Sequence, residues 1–314
     1  MAPPAKVQVL LGVYNGARYL DAALESLRVQ DCAEWSLLVR DDGSTDGTQA
    51  ILESWLERLG DKLEILANPE QTNLGMNGNY SHLLAASTAP YIMLISHDDV
   101  YHANKISLAL EAMKKHEAAV GSERPVLVYT DLVVINEKSE VVARSHWRHV
   151  EWRPPRVRPL GRLLVHSAIC GGTCLINRAL IKLLGDRPLC EDVWIALVAA
   201  SFGDLVPLNV QTVDFRWHTS NQSNQIAIGA LLRRVIAAPL SASEILHSQL
   251  DSLRPRARLF LEQYRDRLSQ EQIATLQAFL HLPEMGLLVR RWTVLRYGLL
   301  YASWIRTMGL LAMV

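Results

Sequence analysis

The sequence predicts an α/β fold: a Rossmann-like, mainly parallel sheet sandwiched by helices, followed by a C-terminal helical extension. Three observations lead there. Short apolar runs alternate with amphipathic helical patterns over the N-terminal part of the chain, two of those runs end on adjacent aspartates, and the alternation gives way to helices alone beyond Asn224.

Taken in order, "VQVLLGV" (Val7 to Val13) is a buried strand, and "ARYLDAALESLRVQ" (Ala17 to Gln30) is a helix with Leu20, Ala23, Leu24 and Leu27 on one face. "SLLVR" is the second strand. It runs into an Asp-Gly-Ser-Thr-Asp turn and the helix "TQAILESWLERLG", closed by Gly60. "LEILAN" reads as a third strand and "PEQTNLGMNGN" as a loop before a helix through "YSHLLAAST"; the strongly apolar "YIMLIS" follows. Strands and helices alternating at these lengths imply a parallel sheet covered on both faces.

Composition bounds the function. Of 314 residues, 49% are hydrophobic and 20% charged, as in an ordinary globular protein. Lysine and arginine balance aspartate and glutamate at 32 each, so no global positive field attracts nucleic acid. Cys32, Cys170, Cys174 and Cys190 are sparse and show no disulfide-framework spacing, which fits a reducing, cytoplasmic compartment. The N-terminal apolar run is too brief for a signal peptide.

In such sheets functional groups gather beyond the carboxyl ends of the strands. One strand delivers Asp41 and Asp42 to that edge and another delivers Asp98 and Asp99. Turn and cap chemistry explains Ser44, Thr45 and Asp46, but not the doubled pairs. Two like charges about 5 Å apart repel by roughly 3 kcal/mol at an effective dielectric near 20, so a cation or a set of donors must offset them. Oxygen-rich clusters of this kind suit Mg²⁺ or Mn²⁺ bridging to phosphates. No Gly-x-Gly-x-x-Gly follows the first strand and no Gly-Lys-Ser/Thr occurs, which disfavours a dinucleotide dehydrogenase or P-loop enzyme. A carboxylate- and metal-dependent nucleotide site remains.

"VYNGARYL", "RDDGSTDGT", "NLGMNGNY", "SHDDVY", "CEDVW" and "FRWHTSNQS" occur in the order and at roughly the spacing of glycosyltransferase family 2. From Val7 to about Asn224 the chain resembles an inverting, nucleotide-sugar-dependent transferase of the GT-A fold, similar to the bacterial rhamnosyltransferase-like subgroup of surface-polysaccharide synthesis. The resemblance implies a donor that is dTDP-L-rhamnose or a UDP-sugar and an acceptor hydroxyl on a glycan or lipid-linked saccharide. It implies that Gly12 and Tyr14 meet the base and ribose, that Asp41 accepts from the ring N–H of uracil or thymine, and that Asp42 supports the ribose or the turn. Asn73, Gly75 and Asn79 then lie near the diphosphate or sugar; a structural loop is the rival reading. Asp98 is the principal ligand of the divalent ion, with Asp99 nearby. The usual Asp-x-Asp is altered here, with Ser96 at the first acidic position and His97 between. Arg216 and His218 become donor-site residues, His218 also as a metal ligand. Glu191 and Asp192 match the family's Glu-Asp motif, with Asp192 as general base; helix capping is the alternative.

The resemblance divides the chain into a catalytic domain, 1–225, with a nucleotide-sugar half to 105 and an acceptor half after it, and a helical region, 226–314. His166, Cys170 and Cys174 recur every four residues as metal ligands can, but "SAICGGTCLINRAL", which follows His166, reads as a buried strand and turn with cysteine as a small hydrophobe. Arginine, histidine and tryptophan concentrate in the connection 144–162, either a solvated loop or an acceptor-side flap. In the last segment, 284–314, apolar runs broken by Arg290, Arg291, Arg296 and Arg306 are too short for a span of about 20 residues. They suit a helix lying on the inner face of the cell membrane, or one that packs on the core or joins a homodimer. Two other functions stay open: a sugar-nucleotide pyrophosphorylase, which would need a basic glycine-rich loop where only Arg18 is present, and a non-catalytic binding module, which would tolerate loss of Asp192.

Overall fold

The computed structural model describes residues 6–155, 157–184, 192–218, 239–301 and 307. In chain order the elements are β1 (Val7–Val13), α1 (Leu20–Arg28), β2 (Trp35–Asp41), α2 (Thr48–Leu59), β3 (Leu63–Ile65), α3 (Gly75–Ala86), β4 (Tyr91–Ile95) and β5 (Val100–Tyr101). They continue with α4 (Lys105–Val120), β6 (Val126–Ile135), β7 (Val141–Ala143), α5 (His146–His149), α6 (Pro159–Val165), β8 (Cys174–Asn177) and α7 (Arg178–Leu184). The last five are α8 (Asp192–Phe202), β9 (Asp204–Arg216), α9 (Pro239–Tyr264), α10 (Gln270–Leu280) and α11 (Leu287–Tyr297). Two compact units result: residues 1–146 with 169–221, and residues 147–168 with 222–314.

The first unit holds the sheet, ordered β3-β2-β1-β4-β8-β6-β9-β5 with β7 beside β6. The ladders β1–β2, β1–β4, β2–β3 and β6–β9 are parallel, whereas β8 runs antiparallel to both β4 and β6. From β1 the chain steps outward through β2 and β3, then returns to place β4 on the other side of β1. That reversal makes the carboxyl ends of β1 and β4 the switch point of the sheet, the place where open α/β sheets bind ligands. Helices cover both faces, so Val9, Leu10 and Leu11 are all fully buried despite pointing alternately up and down. The expected stripe of α1, Leu20, Ala23, Leu24 and Leu27, is buried as well. Its leucines join Val9, Leu11, Val39 and the buried Trp55 of α2 in one core. The Trp55 indole N–H donates to Asp21 at 2.9 Å.

Several boundaries differ from the sequence-based expectation. The glycine-rich stretch around Gly75 and Asn79 is not a loop: α3 starts at Gly75. Glycine and asparagine are poor helix formers, so tertiary bonds decide the outcome. Asn73 Oδ1 accepts the Gly75 amide at 3.0 Å, and the buried Asn79 accepts from Arg40 Nη1 at 3.0 Å and donates to the Arg40 carbonyl at 3.2 Å. β3 ends at Ile65, short of Asn68, whose side chain donates instead to the carbonyls of Asp41 and Thr72. The connection 144–162 contains α5 and the start of α6, which has Pro159 in its first turn, where a missing N–H is tolerated. α9 continues through Pro255.

The cation that two adjacent carboxylates demand comes from their own strand. Arg40 and Asp42, 4% and 2% exposed, form an ion pair at 2.5 Å. Asp42 also accepts the Leu74 amide at 2.9 Å, so the end of β2 is tied to the entry of α3. In the second unit, α10 opens on a capping box between Ser269 and Gln272 and buries Leu276 and Phe279; Ala257 and Phe260 of α9 are buried too. No described helix is long and apolar enough to cross a membrane.

Arg40→Met leaves the Asp42 carboxylate buried without its cation, and the expected loss is about 3–5 kcal/mol of unfolding free energy, measured by urea titration. A second prediction concerns pH. His102 Nε2 meets Asp214 Oδ1 at 2.8 Å, and that hydrogen bond raises the imidazole's proton affinity above its ordinary value. Because the folded pKa is the higher one, the stabilisation is complete below about pH 6.5 and is lost as pH rises through the folded value. The stability advantage of wild type over His102→Asn should therefore shrink as urea midpoints are followed upward from about pH 6.

Candidate active site

The loops after β1 and β2 are joined by hydrogen bonds. The Asn15 amide donates to Ser44 Oγ at 2.8 Å, Asn15 Oδ1 accepts the Thr45 amide at 2.8 Å, and the Gly16 and Ala17 amides reach Thr48 Oγ1 and Asp46 Oδ2. Burial raises the proton affinity of Asp46, but the Thr48 hydroxyl and the Thr48 and Ala17 amides outweigh it and hold the carboxyl below its usual range. Gly43 is required twice over: its φ is +82°, and a Cβ would lie 2.4 Å from the Gln71 carbonyl oxygen. A Cβ on Gly16 would fall 2.8 Å from the His97 ring, so only glycine lets the first loop lie against the β4 loop.

At this edge Asp41 is almost buried and accepts from the Ser44 amide at 3.2 Å, from the Ser44 hydroxyl and from Gln49 Nε2 at 3.1 Å. A carboxylate has about four acceptor positions, so these bonds leave capacity for another donor. Gly12 lies within β1 beside Asn79 and Tyr80, and Tyr14 stands half exposed just beyond the strand. Asn73 is exposed ahead of α3. Asn79, bonded on both sides to Arg40, is a structural link between α3 and β2.

The loop after β4 meets the end of β9. Asp98 Oδ2 lies 2.9 Å from His218 Nε2, and the Asp98 carbonyl accepts from Arg216 Nε at 3.0 Å. Asp99 is turned inward: it is 2% exposed and Oδ1 accepts the Arg216 amide at 2.9 Å. Burial, with the neighbouring Asp98 charge, pushes its carboxyl well above the usual range. The Arg216 guanidinium bonds to Ser139 Oγ at 2.9 Å and lies 4.6 Å over the Tyr19 ring, which in turn stacks on His218. Arg216 thus carries a positive charge to this edge through neutral partners.

Asp192 opens α8, with Oδ2 accepting the Gly171 amide at 3.3 Å and Oδ1 accepting the Val193 amide at 2.7 Å. The short turn Gly171–Thr173 runs between this residue and Asp99: a Cβ on Gly172 would lie 3.5 Å from Asp99 Oδ2 and one on Gly171 3.9 Å from Asp192. Asp41 is thus linked through Ser44 to Asn15, whose neighbour Gly16 lies against His97 beside Asp98, and the Gly171–Gly172 pair lies between Asp99 and Asp192. Glu191 and residues 219–224 lie outside the described residues.

Two residues here escaped the sequence reading of roles. Arg40 left a signal, since an arginine inside an apolar strand next to Asp-Asp is a buried counter-ion in waiting. Lys105 occupies the buried stripe of α4 with Ile106, Ala109, Leu110 and Met113, and a lysine at a core position marks a partner to be found. That partner is the Gly172 carbonyl, 2.7 Å from Nζ. Among the described residues, no three His, Cys, Asp or Glu side chains cluster closely enough to hold an ion unaided. Of the expected metal residues, Asp98 and His218 face each other while Asp99 faces the Arg216 backbone.

The model of the family described as "Glycosyl transferase family 2" matches residues 9–184. A relative named "Putative glycosyltransferase EpsE", from Bacillus subtilis, is 31% identical over 35% of this chain and 39% of its own length, so the match spans well under two thirds of that relative. Among solved structures, TarS 1–349 of S. aureus in complex with UDP-GlcNAc has a TM-score of 0.54 at 16% identity, covering 90% of this chain and 82% of that one. The mannosyltransferase PcManGT from Pyrobaculum calidifontis, in complex with GDP-Man and Mn²⁺, has a TM-score of 0.50 at 17% identity, covering 98% and 88%. At these identities the structural likeness is one of fold, a mixed α/β architecture similar to GT-A glycosyltransferases. With more than half of its length matched by the family model, the chain belongs to glycosyl transferase family 2.

Proposed function

We propose that the chain is an inverting glycosyltransferase that moves a sugar from a nucleoside-diphosphate donor, dTDP-L-rhamnose or a UDP-sugar, to a hydroxyl of a glycan or lipid-linked saccharide in bacterial surface-polysaccharide synthesis. The observation that carries it is the gathering of Asp41, the Asp98–His218 pair and Asp192 along one sheet edge of a family 2 chain. TarS in complex with UDP-GlcNAc and PcManGT in complex with GDP-Man and Mn²⁺ share the fold and support a nucleotide-sugar donor.

The donor would lie in the crevice between β1 and β4, with its base toward Gly12, Tyr14 and Asp41. Asp41 suits a uracil or thymine ring because an ionised carboxylate only accepts, and it would meet their ring N–H. One carboxylate and one imidazole fit Mg²⁺ or Mn²⁺, which keep waters and take further oxygens from substrate phosphates. Asp98 and His218 would hold the ion, whose chemistry is to neutralise charge on the leaving diphosphate. Asp99 braces this pair from inside, and the Arg216 charge adds to the field at the diphosphate. On the opposite face of the sugar, Asp192 takes the proton of the acceptor hydroxyl as its oxygen bonds to the anomeric carbon and the bond to the diphosphate breaks. The N–H groups at the start of α8 stabilise the anionic form that this role requires.

The second unit carries a membrane reading. On α11, Leu288, Trp292 and Leu295 are 79%, 60% and 54% exposed. At 100° per residue they share one face, bordered by Arg291 and Arg296. No aspartate or glutamate occurs from Met285 to Val314. An apolar stripe between arginines matches the interface of an anionic bilayer, which would bring a lipid-linked acceptor to the enzyme.

Asp192→Asn should retain the thermal shift given by UDP-sugar or dTDP-sugar with Mn²⁺ while transfer falls by about 10²–10⁴-fold; unchanged turnover would remove Asp192 as the base. Asp98→Asn should lose the Mn²⁺-dependent part of that shift. For α11, the full chain should pellet with phosphatidylglycerol vesicles at low salt, and Leu288→Glu combined with Trp292→Glu should release it without changing Tm. A wild-type chain that stays in the supernatant overturns the membrane reading, and a concentration-dependent dimer abolished by the same double variant would replace it.

A further inference from the structure

Lys105 is 1% exposed, and among the described residues its one hydrogen bond goes to the Gly172 carbonyl, at 2.7 Å. The Tyr101 ring lies 5.6 Å from the ammonium. The Gly172 carbonyl, the face of the Tyr101 ring and the charge of Asp99 favour the ammonium, but burial outweighs them and draws its pKa down to about 8. Ile106, Ala109, Leu110 and Met113 of the same face are ordinary core residues, and a methionine at position 105 would fill similar space without that penalty. Besides its charge interaction with the buried Asp99, the ammonium has one fixed hydrogen-bond acceptor, and that acceptor belongs to a turn.

It holds a turn made of Gly171, Gly172 and Thr173. Two successive glycines leave a backbone with little torsional preference of its own, and the orientation of the peptide planes on either side of them, Cys170–Gly171 and Gly172–Thr173, has to be imposed by their hydrogen bonds. Within the turn, the Thr173 amide closes on the Cys170 carbonyl at 2.9 Å, and the Gly171 amide donates to Asp192 Oδ2. Fixing the Gly172 carbonyl from α4 and the Cys170 carbonyl from within the turn leaves the Gly171 N–H aimed at the carboxylate.

We infer that Lys105 is a positioning residue for the transfer reaction, acting through the Gly171–Thr173 turn to orient the Asp192 carboxylate toward the acceptor hydroxyl. The inference rests on Asp192 being the general base. It assigns α4, an element with no side chain on the substrate, a direct mechanical link to the acceptor half of the reaction. The same turn passes beside Asp99, so the brace behind the diphosphate-side residues and the brace behind the base are built on adjacent backbone.

The test compares wild type with Lys105→Met, Asp192→Asn and the double variant, measuring Tm, donor binding and steady-state transfer. Lys105→Met should keep Tm and donor KM close to wild type while kcat falls by roughly 100-fold, the scale expected when a reacting group is misplaced by about 1 Å. In the Asp192→Asn background the same substitution should cause no further loss, because the residue acts only through that carboxylate. Hydrogen exchange should be faster in the 170–174 segment and unchanged in the strands. Lys105→Gln, too short to reach the Gly172 carbonyl but still polar, should show the same split and serves if the methionine variant does not fold. Wild-type kcat in either folded variant, or an equal additional loss on top of Asp192→Asn, overturns the inference. Should Asp192→Asn itself turn over like wild type, the assignment of the base fails, and that result is distinct from a failure of Lys105 alone.

Discussion

Adjacent carboxylates at the end of a buried strand are tolerable only when one of each pair is neutralised from within the protein, and this constraint organises the whole sheet edge. On β2 the inward partner is Asp42, held by Arg40 and the Leu74 amide. On the β4 side it is Asp99, which sheds the problem differently: one oxygen accepts the Arg216 amide, and burial with the neighbouring Asp98 charge pushes its proton affinity up despite the cations of Lys105 and Arg216. In both pairs the other aspartate is left at the rim. Asp41 gathers Ser44 and Gln49, and Asp98 gathers His218.

Much of this was legible in the sequence because it follows from periodicity and strand ends. The runs that became β1, β2 and β4 have the short apolar form that a doubly covered sheet requires, and their ends locate Asp41 and Asp98 with no knowledge of the rest. The stripe on α1 was readable for the same reason. What was not readable depended on contacts distant in sequence. Gly75 and Asn79 look like loop residues by local preference, and only the bonds between Asn79 and Arg40 make that segment a helix. The membership of 147–168 in the second unit is another such case, because nothing local to that segment declares its packing partners. Arg40 and Lys105 sit between these extremes. Each is a charge in an apolar pattern, which announces that a partner exists but not which one.

The substitution of serine for the first acidic position of the β4 loop changes the balance at the rim. Ser96 spends its amide and carbonyl on the Tyr101 hydroxyl, so this part of the loop serves the fold. Asp98 and His218 are then the groups left to meet a cation, and two protein donors are few for a hard divalent ion, which prefers about six oxygen or nitrogen ligands. Most of the coordination would have to come from water and from the donor's own phosphates. Under that arrangement neither the ion nor the diphosphate binds strongly without the other, because each supplies the charge that the other needs. The Arg216 guanidinium, bonded to carbonyls and a hydroxyl, would then lower the dependence of a bound diphosphate on the ion. Under the proposed reaction the rim would suit a charged ligand that arrives with its own counter-ion, whereas Asp192, across the Gly171–Thr173 turn, already has its oxygens oriented by the Gly171 and Val193 amides.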